Sequence, residues 1–299
     1  MRLVALDPSD APRLAATRAF LAEDLAGAMF PLAAIHAGRL VRPGAPLTHP
    51  YALHAWVAEG ERGIAGFIGA NGDGMLLPRW PGPIAPEARQ ALGSALAGVP
   101  IAGLVGPAAD ASAIVAALGL DRTPRRTSQV EPGYALDLDA LAMPDTAGLA
   151  LRPIEGGDAG LVEAWRTDYL RELQHLGTAE AERRAARDVA TWRAAGTHRI
   201  LWRGTVPAAL TGFNATLPGV VQVGAVFVPR PTRNRGLGRR AVALHLAEAH
   251  AAGTRKAVLF AAGLAAERAY RALGFWRAGD MAVIEFQARA KVARPGVSP

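Results

Sequence analysis

A loop rich in arginine and glycine, placed between a strand pattern and a helix pattern, is the feature that most constrains the fold. Residues 220–228 are mostly apolar and β-branched, as in a buried strand, and residues 236–251 have the spacing of a helix. Between them, Gly236 and Gly238 allow a tight turn that brings backbone amides close to a ligand. Because the unpaired amides and the positive dipole end of a helix face the same point, this unit predicts an anion site in an α/β fold.

The arginines of this loop narrow the kind of anion. Four of the eight residues 233–240 are arginines. Guanidinium groups in that number favour a diphosphate or polyphosphate over a single carboxylate. The plain alternative is a solvated, basic helix start with no ligand.

A nucleotide fold competes for the same loop. The segment 236–241 satisfies the relaxed dinucleotide fingerprint, with Ala241 in the third glycine position. A dinucleotide fold also needs an acid at the end of the next strand to hold the ribose, but residues 259–262 read Leu-Phe-Ala-Ala. No Gly-x-x-x-x-Gly-Lys-Ser/Thr loop occurs, which disfavours a P-loop hydrolase. A nucleotide-dependent oxidoreductase therefore ranks as the third hypothesis.

Composition excludes several classes of site and partner. The 299 residues are 51% hydrophobic and contain no cysteine, which excludes disulfides, a thiolate nucleophile and Cys-ligated metal. The net charge of +7 attracts anions, but only 6% of residues are aromatic and none interleave with basic runs, so we expect no nucleic-acid partner. No apolar stretch reaches about 18 residues, so we expect no membrane span and a cytoplasmic protein. His245 and His250 miss the spacing of a zinc-binding helix, and we expect no metal.

The order of predicted elements repeats once along the chain. Residues 117–122 (Ala-Leu-Gly-Leu-Asp-Arg) match residues 272–277 (Ala-Leu-Gly-Phe-Trp-Arg) in four positions, and each segment follows a strand-then-helix unit. We therefore predict a duplicated fold, with domains at 1–142 and 149–299 joined by a linker at 143–148. The first half opens with a helical pattern from about residue 11 to residue 37.

The second half resembles the GCN5-related N-acetyltransferases. The resemblance rests on the strand end Val226-Phe227-Val228, on Arg233-x-x-Gly236-x-Gly238, and on 267–275 (Glu-Arg-Ala-Tyr-Arg-Ala-Leu-Gly-Phe) in the same order. It is close over residues 220–286. It implies an α/β (α+β) fold of two tandem acyl-CoA N-acyltransferase-like domains, each a mixed, mostly antiparallel sheet flanked by helices, with a degenerate first copy.

The resemblance also implies how acetyl-CoA is held, with no metal. Backbone amides of the loop would bind the pyrophosphate of coenzyme A, and Val226 and Val228 would pair with the acyl-pantetheine arm. A backbone N–H near Val226 or Phe227 would stabilise the oxyanion. The full set of implied cofactor contacts is Val226, Phe227, Val228, Arg233, Asn234, Arg235, Gly236, Leu237, Gly238, Arg239, Ala262 and Tyr270.

Two side chains are implied or predicted to be catalytic. By the resemblance, Tyr270 protonates the departing thiolate as general acid; the alternative is an ordinary core aromatic. Glu172 or Asp168, which share one face of a predicted helix, is the candidate for the base or for holding a substrate ammonium; a solvated surface acid is the alternative. Gly263 stands where many members of the family have an asparagine that contacts the pantetheine region, which puts that contact in doubt.

The sequence thus predicts an enzyme that transfers an acetyl group from acetyl-CoA to an amine of a small molecule or peptide by direct attack. The first half has Val115 in place of Tyr270 and Pro81-Gly82-Pro83 near the position of the loop. We therefore expect one active site, in the second half. A non-catalytic acyl-CoA-binding regulatory module is the alternative, and the acceptor and oligomeric state stay open.

Overall fold

The computed structural model describes residues 1–292. Its strands are β1 (Arg2–Ala5), β2 (Leu53–Gly60), β3 (Gly63–Asn71), β4 (Met75–Arg79), β5 (Ile101–Pro107), β6 (Arg125–Asp137), β7 (Leu149–Pro153), β8 (His198–Arg203), β9 (Val206–Leu217), β10 (Val220–Phe227), β11 (Lys256–Phe260) and β12 (Trp276–Ala290). Its helices are α1 (Ala11–Ala22), α2 (Leu25–His36), α3 (Pro86–Ala95), α4 (Ala108–Ala117), α5 (Ala159–Leu173), α6 (Thr178–Ala195), α7 (Leu237–Ala251) and α8 (Leu264–Arg271). The mixed α/β composition is the one predicted.

The chain divides into two compact units. The first contains residues 1–131 and the described residues from 279 onward, with strand order β1-β2-β3-β4-β5-β12. Only β4 and β5 run parallel among the strand pairs described for this sheet. Its core lies between the sheet and helices α3 and α4, and is built around Trp80, Leu92 and Ile114.

The second unit contains residues 132–278 and has the same topology. Its strand order is β7-β8-β9-β10-β11-β6, and among the pairs described for it β10 and β11 alone are parallel. The core contains one cluster around Tyr134, Val242 and Leu259, and another around Trp165 and Trp192. The shared order supports the duplication that the short repeat predicts.

The sixth strand of each unit comes from the far end of the other half of the sequence. Residues 133–137 of β6 pair with β11 in the second unit, and residues 281–285 of β12 pair with β5 in the first. The predicted division at 142 and 149 follows chain order, so it differs from this grouping at both strands; residues 293–299 of the predicted second domain lie outside the described residues. The exchange of β6 and β12 between the two units cannot be predicted from chain order, because these strands pair with strands far away in the sequence.

The helical pattern over residues 11–37 forms two helices in the structure, α1 and α2. The break falls at Asp24, whose side chain accepts the backbone N–H of Gly27 at 3.1 Å and caps α2. An aspartate that satisfies a free amide at a helix start stabilises a new first turn. The apolar spacing on either side of Asp24 is compatible with one helix or two, so periodicity alone missed the break.

Two buried histidines lie in the second unit. The His198 ring stacks on Trp192 with centroids 3.9 Å apart, and the His245 ring stacks on Phe213 at 3.8 Å. Among the described residues, His198 Nε2 and His245 Nδ1 are buried without a hydrogen-bond partner. Burial lowers the pKa of His198 well below its ordinary value and that of His245 to about 3. Both rings are therefore neutral in the folded protein at neutral pH.

This burial predicts a loss of stability in acid. A histidine whose pKa is lower in the folded than in the unfolded chain stabilises the fold above its unfolded pKa of 6.5, and that stability falls as the pH drops toward the folded value. Each histidine is expected to cost about 2 kcal/mol of unfolding free energy between about pH 7 and pH 5. Urea unfolding at several pH values measures this loss. His245→Gln should remove about half of the dependence, and an unchanged dependence would contradict the assignment.

Candidate functional site

A gap opens in the sheet of the second unit where β10 separates from β11. β10 pairs with β9 from Val220 to Phe227, but its parallel pairing with β11 covers only Val220–Gln222 opposite Lys256–Val258. Beyond Gln222, within residues 1–292, no strand pairs with the β11-facing edge of β10. The backbone groups on that edge are therefore available to an extended ligand that lies in the gap.

A β-bulge lies next to this gap. The register between β10 and β9 shifts between Gly224 and Phe227, and Ala225 has a φ of 51°, unusual for a residue with a side chain. A bulge bends the strand and redirects its backbone groups, and bulges concentrate near active sites. The predicted oxyanion donors, the amides near Val226 and Phe227, lie at this bend.

The predicted loop forms a concave set of amides after β10. A short 3₁₀ turn at Arg230–Thr232 leads into Asn234 (φ 62°) and Gly236 (φ 69°), and α7 begins at Leu237 without a side-chain cap. The first intrahelical bond after Gly236 runs from the N–H of Arg240 to its carbonyl at 3.1 Å. The amides of the three residues between them therefore have no acceptor within the helix and face the start of α7, as an anion site requires.

Gly238 brings the start of α7 against the end of β10. A Cβ atom built on Gly238 would lie 3.4 Å from a methyl carbon of Val228 and 3.5 Å from one of Val226. The loop amides therefore lie next to the end of the strand whose edge is unpaired. Arg239, the last of the predicted loop contacts, has a buried Nε with no partner among the described residues, which leaves a donor available to an anion.

Arg240 supports the loop from behind, a role that sequence reasoning missed. Its Nε donates to the carbonyl oxygen of Asp145 at 2.7 Å, and one terminal nitrogen donates to the carbonyl oxygen of Arg235 at 2.7 Å. Two hydrogen bonds from one planar group fix the position of the loop backbone. The four arginines of residues 233–240 include Arg240 among the predicted anion ligands, because a count of arginines does not distinguish ligands from residues that hold the loop in place.

Glu172, predicted as a base, binds two arginines. One carboxylate oxygen accepts from Arg230 Nε at 2.7 Å and the other from a terminal nitrogen of Arg233 at 2.8 Å. Arg233 also donates from Nε to the carbonyl oxygen of Val228 at 2.9 Å and lies over the ring of Phe227. Arg233, predicted to contact the cofactor, thus connects the loop to the end of α5.

These contacts make Glu172 a weak base. Burial raises the pKa of its carboxyl, but the hydrogen bonds and charges of Arg233 and Arg230 outweigh burial and hold the pKa below its ordinary value. A general base for an amine works best with a pKa near the working pH. The geometry favours Glu172 as a brace between α5 and the loop, and its role as a base stays a prediction.

Glu172→Gln distinguishes the brace from the base. If Glu172 is a brace, the KM for acetyl-CoA should rise about three- to tenfold, because a neutral amide cannot hold two guanidinium groups, while the pH dependence of kcat stays unchanged. If it is the base, kcat should fall and its basic limb should move, with little change in KM. Steady-state kinetics over a range of pH measures both, and Glu163→Gln on the same helix serves as the control.

Tyr270 and Ala262 lie on the other side of the gap. Tyr270, on α8, is 8% exposed and belongs to one apolar cluster with Val223 and Val226 of β10. Its ring centroid is 6.0 Å from that of Phe275. Ala262 follows β11 and is exposed. The structure therefore brings Tyr270 to the strand that carries the bulge, and its acid role stays a prediction.

Comparison with known families agrees with this geometry. Residues 161–275 match the model of the "Acetyltransferase (GNAT) family", a range that contains the bulge, the loop and Tyr270. These residues form a GNAT-family domain. Among curated proteins, none matches the chain.

Solved structures extend the GNAT fold to the whole chain. A "Tandem GNAT protein from the clavulanic acid biosynthesis pathway" is 18% identical with a TM-score of 0.58, and the match covers 100% of this chain and 99% of that one. A GCN5-related N-acetyltransferase from Sphaerobacter thermophilus is 17% identical, with a TM-score of 0.53 and 97% of each chain covered. A GNAT-family acetyltransferase from Colwellia psychrerythraea is 14% identical, with a TM-score of 0.53, covering 96% and 100%. At these identities the likeness shows the fold alone.

A cavity lies beside the loop, at the end of α5. Its volume is about 510 Å³, and it is lined by Asp168, Arg171, Glu172, His175, Leu176 and Arg230. Asp168, the second candidate base, is therefore close to the Glu172 brace at the end of α5. His175 has a φ of 54°, a conformation that residues with side chains seldom adopt.

The first unit lacks both features of this site. Its equivalent strands, β4 and β5, stay in contact beyond their last pair, since a Cβ on Gly106 would lie 2.8 Å from the ring of Pro78. Asp110 accepts the backbone N–H of Trp80 at 2.7 Å and binds Arg79 at 3.2 Å just after β4. The following segment has proline at 81, 83 and 86, which carry no amide donor. These contacts support the expectation of one site, in the GNAT domain.

The described residues were also compared with the requirements of a membrane span and of a metal site. None of the helices in residues 1–292 combines the length and apolar character that crossing a membrane requires. In the same residues, no three histidine, aspartate or glutamate side chains converge as metal ligands would.

Proposed function

We propose that this chain is an N-acetyltransferase that moves an acetyl group from acetyl-CoA to the amine of a small molecule. The observation that carries the proposal is the free edge of β10, which ends in a bulge and leads directly to the uncapped start of α7. An extended arm with a phosphate at one end matches this combination, because its amides pair along the strand and its phosphates meet the helix amides.

The described residues fit acetyl-CoA. The buried, unpartnered Nε of Arg239 and the free amides after Gly236 supply donors for the pyrophosphate, and Arg235 is exposed beside them. The edge of β10 from Val223 onward supplies peptide groups for the pantetheine arm. Bound acetyl-CoA supplies an activated thioester carbonyl, whose carbon would lie by the bulge.

The reaction balances without a covalent enzyme intermediate. The amine nitrogen, once it has lost its ammonium proton, forms a bond to the acetyl carbon, and the oxyanion accepts hydrogen bonds from amides near Val226 and Phe227. The C–S bond then breaks and Tyr270 donates a proton to the sulfur as it leaves. The excess proton on nitrogen leaves to solvent and Tyr270 takes a proton back from solvent, so the products are an N-acetyl compound and free coenzyme A with the enzyme unchanged.

Binding and turnover together test this proposal. Acetyl-CoA should raise the melting temperature, and NAD or NADP should not. A panel of small amines, amino acids, aminoglycosides and peptides should contain at least one acceptor that releases free thiol from acetyl-CoA. Tight acetyl-CoA binding without turnover of any acceptor would instead indicate a non-catalytic acyl-CoA-binding module. Stabilisation by NAD alone would overturn the proposal.

A further inference from the structure

The cavity beside the loop lies where an acceptor would reach the acyl group. Its wall residue Arg230 is three positions after Phe227, where β10 ends at the bulge. Its other walls come from the end of α5, and that helix packs against the same strand through Trp165, whose ring centroid is 6.1 Å from that of Phe227. At about 510 Å³, the cavity has the size of a small-molecule site.

The charges in this cavity divide into a satisfied set and a free set. Glu172 and Arg230 bind each other at 2.7 Å, so neither carries an uncompensated charge. Asp168 and Arg171 also line the cavity, and neither forms a hydrogen bond or ion pair with any residue that the structure describes. The cavity therefore offers one free negative and one free positive group to a ligand.

The two free groups have a fixed spacing. Asp168 and Arg171 are three residues apart on α5, so they lie on one face of the helix in successive turns, about 5 to 6 Å apart at Cβ. This separation suits a ligand in which an amino group and a carboxylate are only a few bonds apart. Leu176, the apolar wall residue, is 5% exposed and so offers the ligand only a small apolar surface.

Resting on the proposed function, we infer that the acceptor carries both an amine and a carboxylate, and so belongs to the amino-acid class. Arg171 binds the carboxylate, for which the planar guanidinium offers two parallel donors. Asp168 binds the ammonium and passes its proton to solvent before the nitrogen forms its bond to the acetyl carbon. A simple amine lacks the group that Arg171 recognises, so it binds more weakly.

Matched acceptor pairs test the role of Arg171. The probes are α-amino acids, each paired with the amine that lacks its carboxylate: lysine with cadaverine, phenylalanine with phenethylamine. With saturating acetyl-CoA, kcat/KM should be at least about tenfold higher for the better amino acids than for their amines. Arg171→Gln should remove most of that preference by lowering kcat/KM for the amino acid, while the rate with the amine changes less than about twofold.

Two further variants complete the test. Asp168→Asn should lower kcat/KM for amino acids and amines alike, because both present an ammonium. Arg183→Gln, an exposed arginine on α6 outside the cavity, should change neither. Equal rates for amino acids and amines in the unsubstituted protein would overturn the inference, as would an Arg171→Gln variant that keeps the preference. Failure of the proposed function is distinct, because it would leave no thiol release with any acceptor.

Discussion

Replacing Gly236 with valine is expected to raise the dissociation constant for acetyl-CoA at least about 100-fold. Gly236 has a φ of 69°, in the left-handed region that a β-branched residue occupies only with strain. A Cβ at this position would also lie 3.1 Å from a terminal nitrogen of Arg240. Displacing that guanidinium would release the carbonyl oxygen of Arg235, and the loop amides would lose their common direction.

A second glycine provides the matched control. Gly253, after the end of α7, also has a positive φ, of 100°, and no atom lies within 4 Å of a Cβ built there. Gly253→Val should cost similar stability through backbone strain, about 1 to 3 kcal/mol, and leave acetyl-CoA binding unchanged. Calorimetric titration with acetyl-CoA and thermal unfolding separate the two effects. Normal binding by Gly236→Val would show that the loop is not the anion site.

Replacing Tyr270 with phenylalanine is expected to lower kcat about 100-fold while acetyl-CoA binding stays within about twofold. The variant keeps the ring that packs against Phe275 and removes only the hydroxyl that is proposed to protonate the sulfur. Because an acid acts in the transition state and not in the bound ground state, the loss should fall on kcat. Thiol release under saturating substrates measures it.

Tyr134 offers a control for the loss of a buried hydroxyl. It lies in the same apolar cluster and is 2% exposed, and burial followed by a hydrogen bond with Glu267 raises the pKa of its hydroxyl. Tyr134→Phe should change stability without changing kcat by more than about twofold. If both variants lose activity equally, the effect is structural and the acid role of Tyr270 is wrong.

The local parts of the site could be predicted from the sequence. The strand over 220–228, the loop and the helix from 236 were each expected within one residue of the observed bounds. Strand propensity, glycine conformation and helix periodicity depend on neighbouring residues, so they can be predicted from a short stretch of sequence. Gly236 is a clear case, since the need for a left-handed residue at the helix start follows from local backbone geometry.

Side-chain roles were less predictable, as Glu172 and Arg171 illustrate. Both lie near the end of α5, and no local pattern indicates which partner each side chain binds. The fold brings Arg230 and Arg233, about 60 positions later, onto Glu172 and leaves Arg171 without a partner among the described residues. An ion pair forms between groups that are close in space, whatever their separation in sequence. The fold therefore determines which carboxylate is paired and which could act as a base.

The duplicated α/β order, and the arginine–glycine loop that occurs in the second half and not in the first, follow from residue type and short spacing. Three features are visible in the folded chain alone: the exchange of β6 and β12 between the units, the separation of β10 from β11 after Gln222, and the ion pairs of Glu172 with Arg230 and Arg233. These features depend on contacts between residues far apart in the chain. Such contacts form when the whole fold lowers its free energy, and no local pattern encodes them.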